Sequence, residues 1–166
     1  MYEVGDKIVH PAHGAGIIGA IEQSDVLDDF NRYYVIDLKA EVRRLMVPVR
    51  MAEEIGLRRI ANAKGAKDIA KVLGSDAEAL PDDFKARQSL IGEKLKEGDA
   101  LILASVVRDM AARSLEKTYS PTEARLFEQA RSMLSGELAL VRDTELEEAL
   151  GYIDSIVLAQ EEEAEA

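Results

Sequence analysis

The sequence contains no cysteine and no tryptophan, and aromatic residues make up only 5% of its 166 positions. The lack of cysteine excludes a disulfide framework and any metal site built on thiolates. The first residues carry no basic start followed by an apolar stretch, and no apolar run approaches the length of a membrane span. We therefore expect a cytoplasmic protein with no membrane contact.

Histidine is also scarce, and the two present are His10 and His13. Without a third ligand at a suitable spacing, and with Pro11 between them in an expected turn, this pair does not predict a metal site. The sequence has no glycine-rich phosphate loop, no nucleophile elbow and no distinctive pair of acids. We expect a protein that is not an enzyme, with no catalytic residue, no metal and no cofactor.

Basic residues are absent from the C-terminal end, where residues 143–166 hold nine acids and no lysine or arginine. Residues 51–142 hold 15 acids and 15 bases, and the whole chain has a net charge of −11. Affinity for DNA comes largely from neutralising phosphates with lysine and arginine. Because most of the negative charge lies at one end, the acidity of the chain does not exclude a DNA contact elsewhere.

The first fifty residues contain short apolar runs separated by polar turns, which predict β-strands. Gly14, Gly16 and Gly19 lie where strands must bend sharply, and Asp28–Asn31 is a plausible hairpin turn. The pattern predicts a small, strongly bent β-barrel. We place its strands at residues 6–10, 15–23, 32–38 and 42–48.

From Met51 onward the apolar period becomes helical. Ser120, Pro121 and Glu123 form a capping box with proline at the first helical position, a strong signal for a helix start. The predicted fold class is thus α+β, with a β-domain at 1–52, a compact all-α domain at 53–160 and an acidic tail at 161–166 that frays. We place five helices at residues 66–74, 81–97, 99–117, 120–136 or slightly beyond, and 144–160.

Three groups of residues are candidates for binding a partner. Pro48 lacks a backbone donor and predicts a sheet edge or a strand end, where a partner strand can pair, although most edge strands bind nothing. Phe84 is either a core residue or an exposed wedge flanked by Lys85 and Arg87, which would hold DNA phosphates. The remaining candidates form a basic face on two helices or make ordinary ion pairs: Arg108, Arg113, Lys117, Arg125 and Arg131.

Six short pieces, in order along the chain, resemble the CarD/CdnL family of bacterial transcription regulators. The N-terminal module is also similar to the polymerase-interacting part of the transcription-repair coupling factor. The resemblance covers the whole chain, and it rests on Val4-Gly5-Asp6, His10-Pro11-Ala12-His13-Gly14, Met46-Val47-Pro48, Val106-Val107-Arg108-Asp109, Ser120-x-x-Glu123 and Ser135-Gly136-Glu137-Leu138-Ala139-Leu140.

This resemblance implies a Tudor-like β-domain that docks on the β subunit of RNA polymerase, followed by a helical domain that meets promoter DNA at the upstream edge of the melted region. The implied DNA contacts are Phe84, Lys85 and Arg87. Relatives carry a tryptophan where Phe84 stands, and some carry a basic residue where Met46 stands. The implied polymerase-binding residues are Arg43, Arg44, Met46, Val47 and Pro48.

We therefore expect a regulator that stabilises the promoter open complex, binds DNA weakly and only with polymerase, acts as a monomer and associates with the nucleoid through polymerase. One alternative is a polymerase-bound adapter that bridges to another protein without touching DNA. A second is an interaction module or small enzyme unrelated to transcription.

Overall fold

The computed structural model describes residues 1–24 and 32–165, and the predicted turn at Asp28–Asn31 lies outside them. The first part of the described chain forms a five-stranded antiparallel sheet of order β4-β3-β2-β1-β5. All four predicted strands are present. The strands are β1 (Lys7–His10), β2 (Gly14–Gln23), β3 (Arg32–Leu38), β4 (Arg44–Pro48) and β5 (Arg58–Arg59).

The sheet is bent, but it is open in the described residues, so the predicted Tudor-like barrel is not confirmed. A Cβ on Gly16 would lie 2.7 Å from the Asp37 carbonyl oxygen, so glycine permits the close approach of β2 to β3. The register of this pair shifts between Ile18 and Ala20, which marks a β-bulge. The pattern of residues 1–52 could not predict β5, a two-residue strand beyond them that pairs with β1.

The predicted change to helical structure is confirmed, with five long helices after a short helical segment. A 3-10 turn at Val49–Met51 leads into α1 (Ala52–Ile55). The long helices are α2 (Ala63–Leu73), α3 (Phe84–Glu97), α4 (Ala100–Ser114), α5 (Pro121–Arg142) and α6 (Leu146–Glu165). No helix of the described residues is both long and apolar enough to cross a membrane.

Side-chain caps set several helix starts. Asp83 accepts a hydrogen bond from the Ala86 amide, so α3 begins at Phe84 and not at the predicted residue 81. The predicted capping box of Ser120 and Glu123 is present at the start of α5. At the other end of the chain, α6 extends beyond the predicted end at residue 160, because glutamate and alanine both favour helix.

Helix α5 joins the helical core to the sheet. Its Leu140 packs with Val9 of β1 and Ala15 of β2. Gly14 has a φ of +90° and lies against Met133, and a Cβ on Gly98 would come within 2.7 Å of the Pro11 Cα. The two regions therefore share a close-packed boundary. The helical core itself includes Ile69, Leu73, Ile91, Leu103, Met110, Leu134, Leu138 and Ile153.

Buried polar contacts cross the same boundary. The Arg58 guanidinium donates to both carboxylate oxygens of Glu137 at 2.8 and 2.9 Å, and to the Gly98 carbonyl oxygen at 2.7 Å. The amide of Ala61 also donates to Glu137 at 2.9 Å. Glu137 is almost fully buried, so these donors replace the water that its carboxylate loses. This Arg58–Glu137 pair fixes the sheet against α5.

Candidate functional site

The outer edge of β4 is one candidate site, because β4 pairs only with β3 in the described part of the chain. Successive side chains of a strand point to opposite faces. Val47 is buried in the sheet core, whereas Met46 is 50% exposed. The predicted edge position of Pro48 is in keeping with this arrangement. The free edge thus offers backbone groups to a partner strand, with one apolar side chain on the exposed face.

The arginines beside this edge make only surface ion pairs. The Arg44 Nε donates to an Asp37 carboxylate oxygen at 2.9 Å, and the Arg43 Nε lies 3.6 Å from a Glu41 carboxylate oxygen. Both arginines are exposed, and such pairs contribute little because water screens them. Either guanidinium can therefore change partner at small cost.

The second candidate site is at the N-terminus of α3. Phe84 is the first residue of this helix, and its side chain is 48% exposed. It is therefore not a core residue. Its neighbour Lys85 is exposed as well. An aromatic ring in this position can meet a nucleotide base or an apolar protein surface.

Arg87 does not take the exposed position expected of a phosphate-binding residue. It is only 5% exposed, and its Nε donates to a Glu123 carboxylate oxygen at 2.7 Å, with a second, shorter contact from Nη2. Its Nη1 donates to the carbonyl oxygens of Pro81 and Asp82, both at 3.0 Å. The sequence could not reveal this pairing, because Glu123, 36 positions away, becomes a neighbour of Arg87 only in the folded chain.

Glu123 is the acid of the α5 capping box and is 2% exposed. Burial raises the pKa of its carboxyl group, but hydrogen bonds from Arg87 and from the Ser120 backbone outweigh burial and hold the pKa below its ordinary value. The group is thus a carboxylate at neutral pH. Its bond to Arg87 brings the N-termini of α3 and α5 together.

The other predicted basic residues divide into two groups. Arg108 donates to the Asp109 carboxylate at 2.7 Å and to the Ser75 hydroxyl at 2.8 Å. Arg131 forms a two-bond contact with Asp154. Both are thus structural ion pairs. In contrast, Lys117 and Arg125 are exposed, and Arg113 is partly buried with no hydrogen-bond partner for its Nε.

In the sequence, Lys117 lies four residues before the first residue of α5 and Arg125 four residues after it, and the Arg87–Glu123 pair joins this end of α5 to the start of α3. We call Phe84, Lys85, Lys117 and Arg125 the α3/α5 corner. Asp82 and Asp83 are also exposed beside Phe84, so the charge here is mixed. The corner combines an aromatic ring with a few cations and lacks the continuous basic surface of a strong DNA-binding protein.

The rings of His10 and His13 lie in a tilted arrangement, with centroids 4.8 Å apart and planes inclined by 53°, and the Nδ1 of His10 accepts a hydrogen bond from the Ala12 amide. Burial and the neighbouring His13 lower the pKa of His10. Across the described residues, no group of three or more histidine, cysteine or acidic side chains is placed to hold a metal ion.

Two family models match the chain and together span most of it. Residues 2–61 match the CarD-like/TRCF RID domain, and residues 68–154 match the CarD C-terminal domain. The first match contains the sheet with its free β4 edge, and the second contains the α3/α5 corner. The two matches therefore define a CarD-like protein with both domains of that class.

A curated relative matches most of the chain across both domains. The chain is 31% identical over 144 residues to the putative transcription factor YdeB of Bacillus subtilis (strain 168), covering 86% of this chain and 93% of the relative. The protein thus belongs to the CarD/CdnL family of transcription regulators, and the resemblance read from its motifs is confirmed.

Proposed function

We propose that the protein docks on the β subunit of RNA polymerase through β4 and stabilises the promoter open complex through the α3/α5 corner. The observation that carries this proposal is the exposed ring of Phe84 at the start of α3, in a molecule that also has a free sheet edge. Among the exposed large apolar side chains of the described residues, Phe84 is the one aromatic ring, and an exposed ring next to a lysine suits stacking on a base.

The polymerase contact is a strand addition at β4. The backbone of β4 supplies hydrogen bonds along its outer edge, and Met46 supplies apolar contact. Arg43 and Arg44 exchange their surface ion pairs for acids on the polymerase. Val47 is buried and Pro48 lacks an amide hydrogen, so these two residues mainly shape the strand, and only one of their two carbonyl oxygens faces the outer edge because carbonyl groups alternate along a strand.

The DNA contact uses the side chains that are free to make it. Phe84 stacks on a base at the opened upstream edge of the bubble, and Lys85, Lys117 and Arg125 contact the phosphates nearby. The charge of Arg113 helps to lower the pKa of Glu123. Arg113 is partly buried, so it supports the corner from inside the protein. Arg87, Arg108 and Arg131 stay in their ion pairs and do not bind phosphate.

The corner is effective only when polymerase holds it at the promoter. Docking raises the local concentration of the corner next to the DNA, so an intrinsically weak contact becomes significant. A contact that forms only on melted DNA shifts the opening equilibrium, and about 1.4 kcal/mol shifts it tenfold. The acids at residues 143–166 oppose binding to arbitrary DNA. The active species is a monomer, located on the nucleoid through polymerase.

The test measures the lifetime of promoter open complexes after competitor challenge, with polymerase from the same source. We expect the protein to lengthen this lifetime and Phe84→Ala to remove most of the effect. Leu158→Ala is the matched control, because Leu158 is a similarly exposed apolar residue on α6. An unchanged lifetime with wild-type protein bound to polymerase would contradict the DNA contact and support the adapter function instead.

A further inference from the structure

Arg87 links Phe84 to the start of the neighbouring helix. It lies three residues after Phe84, and its guanidinium carbon is 5.9 Å from the centroid of the phenyl ring. The same guanidinium bonds to the Glu123 carboxylate and to the carbonyl oxygens of Pro81 and Asp82. One buried side chain thus contacts the ring, the turn before α3 and the first turn of α5.

Glu123 is itself held in place on its own helix. Its amide donates to the Ser120 hydroxyl at 3.2 Å, and the Ser120 amide donates to its carboxylate at 3.3 Å. The capping box therefore fixes the carboxylate that orients Arg87. Hydrogen bonds run from the α5 N-terminus through Glu123 to Arg87, whose guanidinium carbon lies within cation–π range of the Phe84 ring.

We propose that Arg87 is a positioning residue that holds Phe84 in its DNA-binding orientation and does not itself bind DNA. This proposal rests on the proposed function of Phe84. A side chain that is ordered before binding loses less entropy when it binds, so the ion pair strengthens the contact of Phe84 with DNA. Lysine cannot replace Arg87, because one ammonium group cannot donate in the plane of a carboxylate and two carbonyls while facing a ring.

The first test needs no DNA. The chain has no tryptophan, so Phe84→Trp places a single tryptophan at the proposed site, and this residue can be excited at a wavelength that the five tyrosines do not absorb. Adding Arg87→Lys or Glu123→Gln to this variant should lower its fluorescence anisotropy. Acrylamide quenching should rise, by up to about twofold if the half-exposed ring becomes fully exposed, because the guanidinium group is no longer held beside it. Arg59→Lys, at an exposed arginine of β5 outside the corner, is the matched control and should change neither value.

Unchanged anisotropy and quenching in folded Arg87→Lys and Glu123→Gln proteins would overturn the proposal. Hydrogen exchange in the wild-type protein provides a further test, and this test does not require any variant to fold. The amides of Ala86 and Arg87 bond to the Asp83 side chain and carbonyl group. They should exchange as slowly as amides in the middle of α3 if the first turn is fixed. Exchange at the rate of an open chain would also overturn the proposal.

The second test separates positioning from DNA contact. Arg87→Lys should shorten the open-complex lifetime in protein that has Phe84, and it should have no further effect in Phe84→Ala protein. An equal loss in both backgrounds would show that Arg87 contacts DNA directly, and would overturn the proposal. If Phe84→Ala leaves the lifetime unchanged, the proposed function fails, whereas the fluorescence result still reports whether Arg87 orients the ring.

Discussion

The free edge of β4 and the α3/α5 corner hold their arginines in opposite ways. Arg44 pairs with Asp37 while both side chains are at least half exposed, whereas Arg87 pairs with Glu123 while both are almost fully buried. The exposed pair can be exchanged for a partner's charges at little cost. The buried pair cannot, because an unpartnered charge in the interior is strongly unfavourable. The comparison indicates an adaptable surface at β4, which we propose binds polymerase, and a rigid surface at the start of α3, which we propose contacts DNA.

The largest expected effect is on the contact that joins these two regions. Glu137→Ala leaves Arg58 without its carboxylate partner, and because the Arg58 side chain is 34% exposed and water can solvate it, we expect a loss of about 1.5–3 kcal/mol. We expect the free energy of unfolding in urea to fall by that amount. The same substitution at Glu147, which is exposed on α6, is the control and should change it by less than about 0.5 kcal/mol. Similar losses in both variants would contradict the structural role of Glu137.

The second effect is a dependence of the free energy of unfolding on pH, which arises from the Glu123 carboxyl group. The pKa of Glu123 is lower in the folded protein than its ordinary value of 4.5, so its contribution to stability is present above that pH and is lost as the pH falls through the folded pKa. The groups that face this carboxyl group are Arg87, Arg113 and the Ser120 backbone.

Urea unfolding of the wild-type protein and of Glu123→Gln between pH 6 and pH 3 measures this dependence. The stability difference between the two proteins should shrink as the solution becomes more acidic, because protonation removes the charge that glutamine already lacks. A difference that stays constant with pH would show that the Glu123 charge does not stabilise the corner.

The smallest effect on stability is expected at the β4 edge. Arg44→Glu breaks only an exposed pair and should change the free energy of unfolding by less than about 1 kcal/mol. It should nevertheless weaken binding to polymerase, measured by surface plasmon resonance, and the loss should be smaller at high salt. Lys64→Glu is the control, since it breaks the exposed Lys64–Asp68 pair on α2. Equal binding by both variants would contradict the assignment of the β4 edge.

The sequence could predict the features that depend on local patterns, but not those that depend on tertiary contacts. Strand alternation and the capping box of Ser120 are local patterns, and both predict their elements correctly. The two-residue strand β5 is too short to have a pattern, and its pairing with β1 is a tertiary contact. Whether a sheet closes into a barrel also depends on tertiary contacts, so the sequence could not distinguish an open sheet from a closed barrel.

The candidate site was only partly predictable. The sequence identified Phe84 as a candidate but left open whether its ring is buried or exposed. The partner of Arg87 is far away in sequence, so a buried ion pair was indistinguishable from a phosphate-binding cation. The sequence did contain a signal for the buried pair of Glu137, because this acid lies between Gly136 and Leu138 on an otherwise apolar stretch of α5. An acid in such a position indicates a buried partner.

The most direct test of the two-surface account measures polymerase binding and open-complex lifetime in the same samples. Met46→Asp should lose both, because the corner cannot reach the promoter without docking. Phe84→Ala should keep polymerase binding and lose the longer lifetime. A Phe84→Ala protein that still lengthens the lifetime, or a Met46→Asp protein that does so without binding polymerase, would contradict the account.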